Sequence, residues 1–102
     1  MAVVVVATAF PAAGRADDVR AALLRAVPRV HDEDGCELYA LHESDDRLVL
    51  IEKWTSPEAL AAHAAAAALA DLRGELNDLV TGDLDIQVMN PHPAGVPKRG
   101  AL

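Results

Sequence analysis

Cysteine occurs once in these 102 residues, as Cys36, so the chain can close no internal disulfide. That usage fits a reducing compartment, and a cytoplasmic location is expected. Cys36 itself reads as a small buried hydrophobe at the start of a strand. Aromatic residues are scarce as well: Phe10, Tyr39 and Trp54 are the whole set. The core must therefore be built from Val, Leu, Ile and abundant Ala, and such packing leaves room for a pocket. Lysines and arginines form no run and the net charge is −7, which argues against nucleic acid or an anionic membrane surface as partner. His31, His42, His63 and His92 have no metal-ligand spacing, and the chain contains no CxxC, HExxH or Gly-rich phosphate loop. Metal, nucleotide and flavin cofactors have no support in such a sequence. The apolar start, MAVVVVATAF, has no basic n-region and is too short to cross a bilayer, so it reads as a strand.

What is present has the size of one domain with one core. Its organising stretch is LVLIEKWTSPEALAAH, Leu48 to His63. Alternation puts Leu48, Leu50, Glu52 and Trp54 on one strand face and Val49, Ile51 and Lys53 on the other. Both faces are largely apolar, as in a central strand covered on two sides. A helix must start next, either through a Thr55 to Glu58 capping box or with Ser56 as N-cap and Pro57 at the first helical position. His63 then falls inward with Leu60, Ala64 and Ala67.

Val3 to Phe10 is apolar and largely β-branched, so it predicts a second central strand. After a loop at Pro11 to Gly14, Asp17 and Asp18 suit the first turn of a helix striped by Val19, Leu23, Ala26, Val27 and Val30. Pro28 predicts a kink or a looser turn there. Cys36 to Glu43 alternates as a strand, with Cys36, Leu38, Ala40 and His42 on one face and Glu37, Tyr39, Leu41 and Glu43 on the other. Ser44 to Asp46 supplies a hairpin turn. Leu69, Leu72, Leu76, Leu79 and Val80 form a later helical stripe closing near Gly82, and Ala64 to Ala68 holds no breaker, so one continuous helix or a soft bend is possible. Asp83 to Met89 reads as an edge strand. The order β-α-β-β-α-β is the split βαβ arrangement, with the first and third strands central. Residues 1–90 form this domain, and 91–102 a Pro/Gly-rich tail that should hold neither helix nor central strand. Two helical segments cover one sheet face only, so something must cover the other. A symmetric dimer would do so.

The run VPRVHDEDGCELYAL, Val27 to Leu41, combined with the organising stretch, resembles the antibiotic biosynthesis monooxygenase family and most closely its quinol monooxygenase branch. The likeness spans roughly Val3 to Met89. It rests on Val27-Pro28, the E-x-G-C run Glu33 to Cys36, Tyr39, I-E-K-W at Ile51 to Trp54, and A-x-x-A-H ending at His63. The resemblance implies an α+β ferredoxin-like domain whose four-stranded antiparallel sheet pairs with a second copy into a dimeric α/β barrel. It also implies oxygenation without a cofactor, in which a deprotonated quinol or polyphenol gives an electron to dioxygen in an apolar cavity. Several family types use an asparagine on strand one and a tryptophan at the helix-two position. Thr8, Ala9 and His63 stand there in this chain, which leaves the quinol type as the nearest match.

His63 is the candidate catalytic base, since imidazole titrates near neutrality and lies on the inward face. Tyr39, as a hydroxyl donor, and Trp54, as a stacking surface, are candidate substrate contacts, although both also suit core packing. Glu52 is a carboxylate on a buried face and needs a partner, expected to be a lysine or arginine, or a raised pKa. His42, near the hairpin, and Arg73, able to meet an anionic group, complete the substrate-binding candidates. The leading expectation is a homodimeric, cofactor-free monooxygenase of a small quinol or polyphenol. An isomerase of a small carbonyl metabolite and a non-catalytic ligand-binding or stress-response protein are the alternatives.

Overall fold

A computed structural model describes residues 1–102. The elements run β1 (Val3–Ala9), α1 (Ala16–His31), β2 (Cys36–Ser44), β3 (Arg47–Trp54), α2 (Pro57–Ala64), α3 (Ala67–Leu76) and β4 (Asp85–Met89). The sheet is antiparallel throughout, in the order β2-β3-β1-β4. The two strands with apolar residues on both faces are the two central ones. This is the ferredoxin-like α+β fold.

One sheet face carries the core. Val3, Val5, Ala7 and Ala9 of β1 and Leu48, Leu50 and Trp54 of β3 pack beneath Val19, Leu23, Ala26 and Val30 of α1 and Leu69, Leu72 and Leu76 of α3. Each fully buried Val or Leu side chain among them contributes roughly 1.5–3 kcal/mol. The opposite face, with Val4, Val6, Leu38, Ala40, Val49 and Ile51, is half-buried and has no helix over it. No helix is long and apolar enough to cross a membrane. The segment Asn90–Leu102 contains neither helix nor strand, and Lys53 Nζ donates to the Leu102 main-chain oxygen at 2.8 Å.

Local chemistry resolves the alternatives left by the sequence and overturns some expectations. Ser56, not Thr55, is the N-cap: its Oγ accepts from Ala59 N at 3.1 Å and Pro57 opens α2. Helix α1 continues through Pro28 without a break. Pro28 lies on the exposed side, so the Leu24 carbonyl that it leaves unpaired faces water and costs little. The second helical segment is broken at Ala65 and Ala66 despite the absence of any breaker residue. Consequently Ala64 and Ala67 are exposed instead of sharing a buried face with His63. Helix α3 ends at Leu76, so Leu79 and Val80 leave the helical stripe, and Val80 bridges Pro11. In β2 a register shift between Cys36 and Leu38 pairs Cys36 with Trp54 and Leu38 with Lys53. Cys36 therefore joins the core face with Tyr39, against the uninterrupted alternation expected, because a bulge inserts one residue and inverts the facing of every later residue in the strand. Its thiol is pushed up by burial first and by nearby Glu33 and Glu52 next, which makes it a poor nucleophile.

Candidate active site

Between the core face of the sheet and the two short helices lies a cavity of about 90 Å³. Its wall is apolar, with Val5, Ala7, Leu50, Leu60, Leu69 and Leu72, and its polar groups are Tyr39, Glu52, His63 and Arg73. Four of the six side chains singled out from the sequence therefore meet in one place. They come from β2, β3, α2 and α3, which no local pattern connects.

His63 is 4% exposed and held on three sides. Its ring stacks on Trp54 with centroids 4.5 Å apart and an interplanar angle of 28°, and meets Tyr39 edge-on at 5.6 Å. On the third side Nδ1 lies 2.8 Å from Glu33 Oε1. An ionised carboxylate only accepts, so Nδ1 carries the proton and donates it to Glu33. In the neutral imidazole Nε2 then bears the lone pair. Nε2 makes no hydrogen bond within the chain, yet the only buried side-chain polar atom sealed off without a partner is Glu33 Oε2. Nε2 is thus not sealed off, and His63 is among the side chains that line the cavity. A histidine fixed in one tautomer by a carboxylate, with its basic nitrogen unpaired and its side chain lining an apolar space, is an arrangement for taking a proton from a bound molecule.

Glu33 is the functional residue that residue-by-residue reading missed. It lies in the loop after α1, inside the E-x-G-C run, thirty residues before His63. Gly35 makes the approach possible. Its φ is +84°, and a Cβ there would sit 2.5 Å from Ala59 Cβ and 2.8 Å from Thr55 Oγ1. Only glycine lets this loop lie against the start of α2, where Gly35 O accepts from Thr55 N at 2.9 Å.

Glu52 has no lysine or arginine partner, contrary to expectation. It is 4% exposed, and its Oε1 accepts from Trp54 Nε1 at 3.0 Å. Burial is the main cause that raises its pKa above the ordinary carboxylate range, opposed by the indole hydrogen bond and the nearby His63 charge. Tyr39 is driven far above the usual phenol value by burial first and by Glu52 and Glu33 next, so its hydroxyl stays a neutral donor. Trp54 is completely buried and does not line the cavity. It cannot stack on a substrate as the sequence suggested; it supports His63 and Glu52 from behind. His42 pairs in register with Val49 on the other sheet face, with its Nδ1 beside Ala40 O at 3.2 Å, and is not brought to the cavity. Arg73 is exposed on α3 and stands at the mouth with Leu84 and Ile86. These three also line an outer groove of about 370 Å³ with Leu76, Asn77, Val80, Gly82 and Asp83, so groove and cavity adjoin. No three His, Cys, Asp or Glu side chains are grouped as a metal ion would need.

Fold and site together define a class: a ferredoxin-like domain with an imidazole–carboxylate pair buried against an apolar cavity. Residues 2–74 match the family model described as antibiotic biosynthesis monooxygenase. The chain is 32% identical over 91 residues to Rv0793 of Mycobacterium tuberculosis, whose name marks it provisionally as a monooxygenase; the match covers 87% of this chain and 90% of that protein. The solved structure of Rv0793 superposes with a TM-score of 0.86 at 28% identity, covering 94% of this chain and all of that one. A Deinococcus radiodurans structure, likewise provisionally named an antibiotic biosynthesis monooxygenase, gives a TM-score of 0.82 at 26% identity, covering 92% and 96%. The chain belongs to the antibiotic biosynthesis monooxygenase family. That membership assigns it a monooxygenase-type function.

Proposed function

We propose that this protein oxidises a small quinol or polyphenol with dioxygen, without a cofactor, and that His63 is the base. The observation that carries the reading is the Glu33–His63 pair, which leaves Nε2 without a partner on a side chain that lines an apolar cavity. Proton transfer from a substrate hydroxyl to Nε2 produces an electron-rich anion, and Glu33 stabilises the imidazolium that forms. The anion passes one electron to dioxygen, and recombination of the two radicals forms a carbon–oxygen bond. Loss of water from the resulting hydroperoxide completes the step. For a hydroquinone the balance is quinol plus O₂ giving hydroxyquinone plus water, with all four electrons drawn from the substrate. The neutral Tyr39 hydroxyl donates a hydrogen bond to the substrate oxygen as charge develops on it.

The apolar sheet face without a helix supports a homodimer that pairs sheet with sheet, closing the α/β barrel. The lone, unpaired Cys36 is consistent with action in the cytoplasm. The size of the inner cavity favours a second reading as well. An engineered apolar cavity of about 150 Å³ takes benzene, and 90 Å³ suits a smaller molecule unless Arg73 and Ile86 swing outward. Isomerisation of a small carbonyl metabolite would use the same His63 base and no dioxygen.

Oxygen uptake with a panel of hydroquinones and anthrones, corrected for autoxidation, separates these readings. Uptake by the wild type that falls on the order of a hundredfold in His63→Gln and His63→Ala supports the monooxygenase and its base. Equal uptake in folded variants removes His63 from the chemistry, and no uptake with any member of the panel overturns the oxygenase.

A further inference from the structure

The geometry points to a substrate that carries an anionic substituent, a carboxylate above all, placed at the junction of cavity and groove where Arg73 binds it. This rests on the cavity being the substrate site. Arg15, Arg20, Arg25, Arg29 and Arg47 each have a carboxylate within salt-bridge distance, at 2.7 to 3.4 Å. Arg73 has none, in a chain with sixteen acidic residues and nine basic ones.

The two carboxylates nearest His63 already have partners. Glu33 is held by His63, and Glu52 by the Trp54 indole. Asp83 lines the outer groove but not the cavity, and it makes no ion pair with Arg73. Glu52, the one carboxylate that lines the cavity, offers a substrate anion no counter-charge there, while Arg73 attracts it to the mouth. The two effects orient a molecule the same way: its ring enters toward His63 and its charge stays outside, against a guanidinium that can hold both carboxylate oxygens. Arg73 and Ile86 border both spaces, so when these two side chains swing outward a ligand whose ring enters the cavity also reaches the groove.

Anaerobic calorimetric titration with 2,5-dihydroxybenzoate and its neutral counterpart 2,5-dihydroxybenzamide tests this without turnover. The acid should bind the wild type about tenfold more tightly than the amide at low salt, and the margin should shrink as salt is added. Arg73→Gln, an exposed position where folding is not at risk, should erase the margin by weakening the acid far more than the amide. Arg99→Gln removes the other arginine that lacks an acidic partner and should change neither. Equal binding of acid and amide by the wild type, or a margin that survives in Arg73→Gln, overturns the assignment, as does binding of neither compound. Oxygen uptake keeps the two proposals apart. An acid preference without uptake leaves the anion subsite standing and removes the monooxygenase, whereas uptake from hydroquinone with acid and amide equal removes only the subsite.

Discussion

The indole–carboxylate contact behind His63 is the most informative place to disturb this fold. Trp54→Phe keeps an aromatic ring on His63 but deletes the donor to Glu52 Oε1, in a position where both residues are at most 4% exposed. The buried carboxylate loses its only hydrogen bond within the chain, at about 1–3 kcal/mol. Shrinking indole to phenyl in a fully buried site adds roughly 1–2 kcal/mol of lost packing. The expected total is about 2–5 kcal/mol of lost stability at neutral pH. Glu52→Leu leaves the opposite orphan, the indole N–H, while also relieving the cost of a buried charge. With both replacements no polar group is left unsatisfied, so the double variant should be more stable than the sum of the singles by about 1–3 kcal/mol. Urea unfolding followed by far-ultraviolet circular dichroism is the suitable assay, since Trp54 is the only tryptophan and cannot serve as the reporter. Additivity of the two changes to within about 0.5 kcal/mol would show that indole and carboxylate do not depend on each other.

Because the folded pKa of Glu52 lies above its unfolded value, the folded state binds this proton more tightly. Its contribution to stability is present in acid and is lost as pH rises from the ordinary carboxylate range through the raised folded value. Glu52→Gln keeps an acceptor for Trp54 and should flatten that part of the stability-versus-pH profile in denaturant titrations; identical profiles would contradict the raised pKa. Gly35→Ala combines a left-handed backbone with an overlap at Ala59 and should cost about 2–5 kcal/mol of unfolding free energy while also separating Glu33 from His63. An unchanged urea midpoint would show that the loop is not held against α2. Ser56→Ala removes the α2 cap and should cost about 1 kcal/mol by the same measurement, with Ser56→Asp restoring it. Ile51→Glu, on the sheet face without a helix, should convert a dimer to monomer in light scattering while leaving the circular dichroism spectrum unchanged; a wild type already monomeric would remove the sheet-to-sheet dimer.

Some of this structure was written in short-range patterns. Val3 to Ala9 and Leu48 to Trp54 are apolar on both faces, and that alone places β1 and β3 in the middle of the sheet, because edge strands can leave one face to water. The stripe on α1, the Ser56-Pro57 start of α2 and the inward face of His63 follow from helical periodicity and backbone donors. The break at Ala65 and Ala66 was also legible, though only by comparing two stripes. Nine residues at about 100° each put His63 and Leu72 roughly half a turn apart. A straight helix could not bury both, and the chain breaks at Ala65 and Ala66 although alanine is the strongest helix former.

The rest depended on contacts between distant residues. The bulge that moves Cys36 to the core face reflects pairing with β3, since nothing in Cys36-Glu37-Leu38 marks an extra residue. Glu33 meets His63 only because Gly35 allows its loop to rest on Ala59 of α2. Alternation already set His42 and Tyr39 on opposite faces of β2, but which of those faces meets the cavity and which has no helix over it was decided by packing. Side-chain period and local hydrogen bonding were enough to establish which strands are central, where the helices begin and which face of each is apolar, since both are properties of neighbouring residues. Which carboxylate orients His63, which one is left buried beside Trp54, and that Arg73 stands free at the mouth were fixed by the folded chain alone, because each is a matter of proximity between elements far apart in sequence.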